Sequence, residues 1–158
     1  MLAELLNPQR IQLDADISSK KKALQELSRL FADSNSALNA NLVFDALTDR
    51  EKLGSTALEK GIAIPHCRIT DCTRPLLAVL TLGMGIDFDA RDDQPVDLIC
   101  ALIVPEQSTE EHLNILSALA GMLSNSDNCH RIRGCSDANQ LLAFITELEA
   151  NSPAYSDL

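Results

Sequence analysis

The chemistry of this chain centres on His66, which ends the run Gly61-Ile62-Ala63-Ile64-Pro65-His66. A glycine opens the run with wide backbone freedom. A proline closes it and pushes Ile64 toward extended geometry, so the imidazole is aimed from the end of a strand-like segment. Imidazole has an ordinary pKa of about 6.5, so a neutral, nucleophilic ring is available at pH 7. Upstream lie Asp49-Arg50-Glu51 and Gly54-Ser55-Thr56, and downstream lies His112. A phosphoryl group is the electrophile this set suits. Its transfer needs in-line positioning and positive or hydrogen-bonding groups on the equatorial oxygens. Arg50 supplies a guanidinium fork, His112 a ring donor, and Ser55 and Thr56 supply hydroxyls. Plainer roles stand beside these. Arg50 also suits the negative end of a helix, His112 is also an ordinary first-turn residue, and Gly54-Ser55-Thr56 also reads as a helix-stop turn.

Other chemistries find no support. The chain has neither Gly-x-x-x-x-Gly-Lys-Ser/Thr nor Gly-x-Ser-x-Gly. His66, Cys67 and Cys72 lack a second ligand pair at zinc-site spacing, so neither a metal nor a cofactor is expected. The net charge of −10 argues against nucleic acid and against docking on anionic lipid. Five cysteines without a Cys-x-x-Cys fit free thiols in a reducing compartment. The first residues, MLAELLNPQR, carry Glu4 and lack a basic start before an apolar core, so no signal peptide is expected. The longest apolar stretch, around 76–86, is short and glycine-broken, which excludes membrane insertion. A cytoplasmic location follows, and the sequence leaves the oligomeric state open.

The elements that must hold these residues alternate along the chain. Ile11, Leu13, Ala15 and Ile17 alternate as in a strand. Ser18 or Ser19 caps a helix burying Ala23, Leu24, Leu27, Leu30 and Phe31, and Lys20, Lys21 and Lys22 in its first turn read as a solvated face or a surface for an acidic partner. A helix over 40–52 turns Leu42, Val43, Ala46 and Leu47 inward and stops at Gly54. Residues 61–64 form a short strand with His66 at its exit. Residues 76–82 form a strand broken by Gly83 and Gly85. Residues 96–104 are apolar enough for a central strand covered on both faces. Ser108, with Glu111 three positions on, fits a capping box. Its helix runs to about 123 with Leu113, Leu116, Leu119, Ala120 and Leu123 on one face. A short helix over 125–134 carries His130, to which no role is given. Asp137 caps a last helix to about 149.

The segments Asp49-Arg50-Glu51-x-x-Gly54-Ser55-Thr56 and Gly61-Ile62-Ala63-Ile64-Pro65-His66, with Pro95-Val96-Asp97-Leu98, Val104-Pro105 and His112, resemble the signature of phosphotransferase-system enzyme IIA domains of the fructose/mannitol class. The early Ser19-Lys20-Lys21-Lys22-Ala23-Leu24 and the stand-alone length are similar to the nitrogen-regulatory branch. The resemblance spans about residues 5–149. It implies a phosphohistidine at His66, with Arg50 and His112 flanking it. It implies an HPr-like phosphocarrier as donor, and regulatory targets in place of a sugar permease. The protein would then be a phosphocarrier, an enzyme only in the sense of a covalent intermediate. The alternatives are a sugar-specific IIA that passes phosphate to a IIB domain, or an interaction module without phosphorylation. Cys67 departs from the small residue common after the active histidine and reads either as a tolerated substitute or as a thiol that is oxidised or tunes access to the site. The expected fold is one α/β domain over residues 1–150, a mixed sheet with helices on both faces, followed by a tail at 151–158.

Overall fold

The computed structural model describes residues 1–108 and 110–151. Of the expected tail at 151–158, Asn151 is the last residue of a helix and the rest lies outside the described residues, as does Thr109. Five strands occur among the described residues: β1 (Ile11–Ala15), β2 (Ile62–Ala63), β3 (His66–Ile69), β4 (Leu76–Ile86) and β5 (Val96–Pro105). The helices are α1 (Lys20–Ser34), α2 (Ala40–Lys52), α3 (Glu110–Leu123), α4 (Ser126–Arg133) and α5 (Ala138–Asn151), with two short 3-10 turns ahead of β1. None is long and apolar enough to cross a membrane.

The sheet is mixed. β4 and β5 form an antiparallel pair at its centre. β1 adds in parallel to β4, and β2 and β3 follow one another along the far edge of β5, both parallel to it. Every second residue of the central pair faces one layer. Ala78, Leu80, Ile99, Ala101 and Ile103 pack with Leu27, Phe31, Val43 and Leu47 of α1 and α2. Leu77, Val79, Leu98, Cys100 and Leu102 pack with Ile115, Leu119, Ile132, Leu141 and Ile145 of α3, α4 and α5. This two-sided burial explains why β5 is apolar throughout.

Four details differ from the sequence-based expectations, the last of them at the start of α3. Gly83 and Gly85 do not break β4, which continues to Ile86. A Cβ on Gly83 would lie 2.9 Å from Asp14 Oδ1, and one on Gly85 would lie 2.8 Å from the Pro95 side chain. The glycines thus admit neighbours to the strand. In β1 the alternation does not keep one face. Asp14 has φ +53°, the register slips between Gln12 and Ala15, and Ile11 and Ala15 pack in opposite layers. Third, α3 is rotated from the expected face: His112, Ile115, Ala118, Leu119, Met122 and Leu123 are buried, while Leu113 is 64% exposed. The apolar residues of α3 admit two overlapping faces, and packing against the sheet selects the one that carries His112 inward.

Helix starts are set by side chains that accept otherwise unpartnered N–H groups. Ser19 accepts from Lys22 N at 3.2 Å, and Asp137 from Gln140 N at 2.8 Å. Ser108 does not cap α3 as expected. Its Oγ is buried without a hydrogen-bond partner.

Candidate functional site

His66 stands at a break in an edge strand. β2 pairs with Leu98 and Ile99, β3 with Leu102 to Pro105, and Leu102 N donates to Pro65 O at 2.9 Å between them. Proline has no N–H to give a ladder, so it fits at this interruption. The sequence-based reading put His66 at a strand exit. It instead opens β3, where His66 and Arg68 share one side while Cys67 and Ile69 are buried on the other. Burial of Cys67 pushes its thiol pKa up to about 12, with Cys72 adding in the same direction; it is a packed, unreactive group.

The start of this segment needs glycine. Gly61 has φ +81°, and an added Cβ would lie 3.1 Å from both Pro95 O and Arg133 Nη2. Arg133 clasps the same turn. It donates from Nε to Asp97 Oδ1 at 3.0 Å and from Nη2 to Lys60 O at 3.0 Å.

The His66 ring is oriented by its own backbone. Nδ1 lies 2.8 Å from Ile64 O. A carbonyl only accepts, so Nδ1 carries the proton and Nε2 keeps its lone pair. Burial lowers the His66 pKa; the bond to Ile64 opposes this, Arg50 reinforces it and Glu51 opposes it. The ring is therefore neutral at pH 7.

Arg50 and Glu51 arrive on the last turn of α2. Val43, Leu47 and Glu51 are buried at four-residue spacing, and Leu42, expected inward, is exposed. Arg50 Nη1 donates to Gly54 O at 2.9 Å. Glu51 is buried and fully partnered. Oε1 meets Lys20 Nζ at 3.0 Å and accepts Thr56 N at 3.2 Å, and Oε2 accepts the Thr56 hydroxyl at 2.5 Å. Lys20 is thus not on a solvated face. Its ammonium also lies 4.8 Å from the centre of the Phe88 ring and 3.3 Å from Asp89 Oδ2. Ser55 Oγ donates to Phe88 O at 2.6 Å. Both hydroxyls put forward for phosphate therefore spend their hydrogens within the protein.

His112 enters from the first turn of α3. Its ring centre is 5.6 Å from that of His66, with the planes at 70°. It is buried, and its Nδ1 has no hydrogen-bond partner. Burial lowers its pKa, with His66 and then Arg68 adding to the effect. The sequence reading missed Arg68. Its guanidinium donates to Glu106 O at 3.1 Å and to Ser108 O, so it holds the loop that leads into α3. Its signal was present: two residues beyond His66 in a strand means the same face. His130 is exposed on α4, apart from this cluster.

His66, Arg50 and His112 are thus brought to one place, with Arg68 beside them. Such a cluster offers a neutral ring nitrogen as nucleophile next to positive and hydrogen-bonding groups, which is the equipment of phosphoryl transfer.

The comparisons agree with this reading of the fold. The family model "Phosphoenolpyruvate-dependent sugar phosphotransferase system, EIIA 2" matches residues 4–148. A protein of Pseudomonas aeruginosa called nitrogen regulatory protein is 41% identical over 148 residues, covering 94% of this chain and 96% of that one. The crystal structure of nitrogen regulatory protein IIA-Ntr from Neisseria meningitidis superposes with a TM-score of 0.84 at 38% identity, over 90% of this chain and 97% of that one. IIA mannitol from Escherichia coli shares the fold, with a TM-score of 0.73 at 20% identity over 89% and 98% of the two chains. With nearly its whole length matched, the chain belongs to the EIIA 2 family of the phosphoenolpyruvate-dependent sugar phosphotransferase system.

Proposed function

We propose that this protein is a regulatory phosphoryl carrier of the nitrogen-related phosphotransferase type. His66 Nε2 accepts the group from a phosphohistidine on an HPr-like carrier, and regulatory targets distinguish the two forms. The observation that carries the reading is the 2.8 Å bond between His66 Nδ1 and Ile64 O, which leaves Nε2 as the nucleophile. In the transfer, the Nε2 lone pair attacks phosphorus. The P–N bond to the carrier ring breaks and its electron pair returns to that ring. Positive charge that develops on the His66 ring is met at Nδ1–H by the Ile64 carbonyl. Arg50 takes phosphoryl oxygens through its free N–H groups, and His112 donates from its ring. A phosphoryl contact at Ser55 or Thr56 requires exchange of the hydrogen bonds those hydroxyls make.

Support for regulation comes from the relative named a nitrogen regulatory protein and from the surface near the site. Leu53, three residues past Arg50, is 85% exposed, and Leu113 follows His112 and is also exposed. A phosphoryl group adds up to about two negative charges, so a partner docking over His66 meets two different surfaces in the two forms. Five free thiols fit a cytoplasmic setting.

The second reading, a sugar-specific IIA that feeds a IIB domain, follows the family description itself. One experiment separates them. The protein and His66→Ala are incubated with phosphoenolpyruvate, an enzyme I and an HPr-like carrier, and intact mass is followed before and after addition of a fructose or mannitol IIB domain. The proposal expects an acid-labile phosphoryl gain in the unaltered protein only, retained when IIB is added. Rapid drainage to IIB favours the sugar reading. No gain in either protein makes the chain an interaction module.

A further inference from the structure

We propose that Glu51 is a positioning residue that sets the tautomer of His66 through the backbone of Thr56 and Ile64. The connection can be followed bond by bond. Glu51 accepts both the N–H and the hydroxyl of Thr56. Thr56 O accepts Ile64 N at 3.1 Å. Ile64 O meets His66 Nδ1 at 2.8 Å. Side bonds keep the two segments in register: Leu58 N donates to Ile62 O at 2.7 Å, and Ala57 and Ala63 form an antiparallel bridge. No other side chain of α2 reaches this loop with a buried charge. Asp49, two positions earlier, is exposed.

The energetics favour a device over a filler. Glu51 follows Val43 and Leu47 on the buried face of α2, where the other buried residues are apolar. A buried carboxylate is tolerated only when its charge is paired and its lone pairs are used. Here Lys20 supplies the charge and Thr56 both hydrogen bonds. A pair of this kind is rigid in direction, whereas apolar contact alone allows the loop to slide. Rigidity matters at Ile64 because a carbonyl moved or turned out of hydrogen-bonding reach, beyond about 3.2 Å, no longer holds Nδ1–H, and the ring is then free to place its proton on Nε2. That tautomer has no lone pair at the nitrogen the proposed transfer uses. The inference deepens that proposed carrier role and takes its consequence for the transfer rate from it, while the tautomer claim stands by itself.

The test uses the full chain labelled with ¹⁵N-histidine. His66 ring shifts are read in Glu51→Gln, Thr56→Val and Thr56→Ser, alongside thermal unfolding and phosphorylation rate at saturating carrier. The unaltered protein and Thr56→Ser are expected to hold the proton on Nδ1. Glu51→Gln and Thr56→Val are expected to mix the tautomers and to be phosphorylated slower by about tenfold to a hundredfold, as small misplacement of a reacting group costs. If Glu51→Gln does not fold, Thr56→Val and Lys20→Met carry the test. A folded Glu51→Gln or Thr56→Val with wild-type ring shifts overturns the proposal. The expected shift changes in a protein that the carrier never phosphorylates would support positioning by Glu51 and sink the carrier reading.

Discussion

The ring of His112 meets that of His66 edge to face, centres 5.6 Å apart and planes at 70°. The rotation of α3 that buries His112 creates this relationship, and it leaves Nδ1 of His112 without a protein partner. A ring whose hydrogen bonding is uncommitted at one nitrogen can turn to charge that appears only during reaction, and a donor is worth most in such a buried place. His112→Ala is expected to fold and to accept phosphate slower by on the order of a hundredfold, with His112→Gln intermediate because it restores a donor. Stopped-time phosphorylation by the HPr-like carrier measures both. An unchanged rate in His112→Ala would remove it from the transfer step.

Both rings are biased toward neutrality, mainly by burial. A histidine whose folded pKa lies below its unfolded value contributes stability that is complete above the unfolded value, about 6.5, and is lost as pH falls through the lower folded value. Stability from urea unfolding is therefore expected to decline from about pH 6.5 downward. The decline should be shallower in His66→Ala/His112→Ala. The acid limb of the phosphorylation rate should likewise fall below about pH 6.5, because the nucleophile proposed is the neutral His66 ring. A limb at or above that value would contradict the neutral ring.

Arg50 is anchored by one N–H to Gly54 O, which leaves other donors of the planar group free. Arg50→Lys keeps the charge and loses the fork, so it is expected to retain part of the rate, whereas Arg50→Ala should lose about a hundredfold. Ring shifts of His66 should show its pKa rising in Arg50→Ala, since the guanidinium charge disfavours the imidazolium. Rates for both variants equal to that of the unaltered protein would show that neither charge nor geometry at this position matters.

The turn before β2 permits a stability test away from the chemistry. Gly61 combines φ +81° with close approach of Pro95 O and Arg133 Nη2. Gly61→Ala is expected to cost about 1–3 kcal/mol in urea unfolding, the range for a strained backbone residue. Arg133→Met, which removes the clasp on Lys60 O and Asp97, should shift the same midpoint in the same direction.

What the sequence made legible followed from local rules. The apolar run of β5 and the caps at Ser19 and Asp137 depend on neighbours in the chain, whereas the grouping of His66, Arg50 and His112 was legible only through the resemblance to the enzyme IIA signature. What it hid depends on a partner surface. Periodicity in α3 names a helix but not its rotation, so Leu113 was expected inward and is exposed. Lys20 resembled a solvent-facing lysine because its partners Glu51 and Asp89 lie far along the chain. Gly83 and Gly85 looked like strand breakers because Asp14 and Pro95, which need the space, come from other segments. Arg68 was hidden by a smaller step, the placement of His66 outside a strand.

The most direct measurement is a ³¹P–¹⁵N correlation spectrum of the ¹⁵N-histidine-labelled protein after phosphorylation by the HPr-like carrier. The account predicts one phosphorus coupled to Nε2 of His66, with the proton remaining on Nδ1 opposite Ile64 O. Phosphorus on Nδ1, on His112 or His130, or on no histidine at all would contradict it.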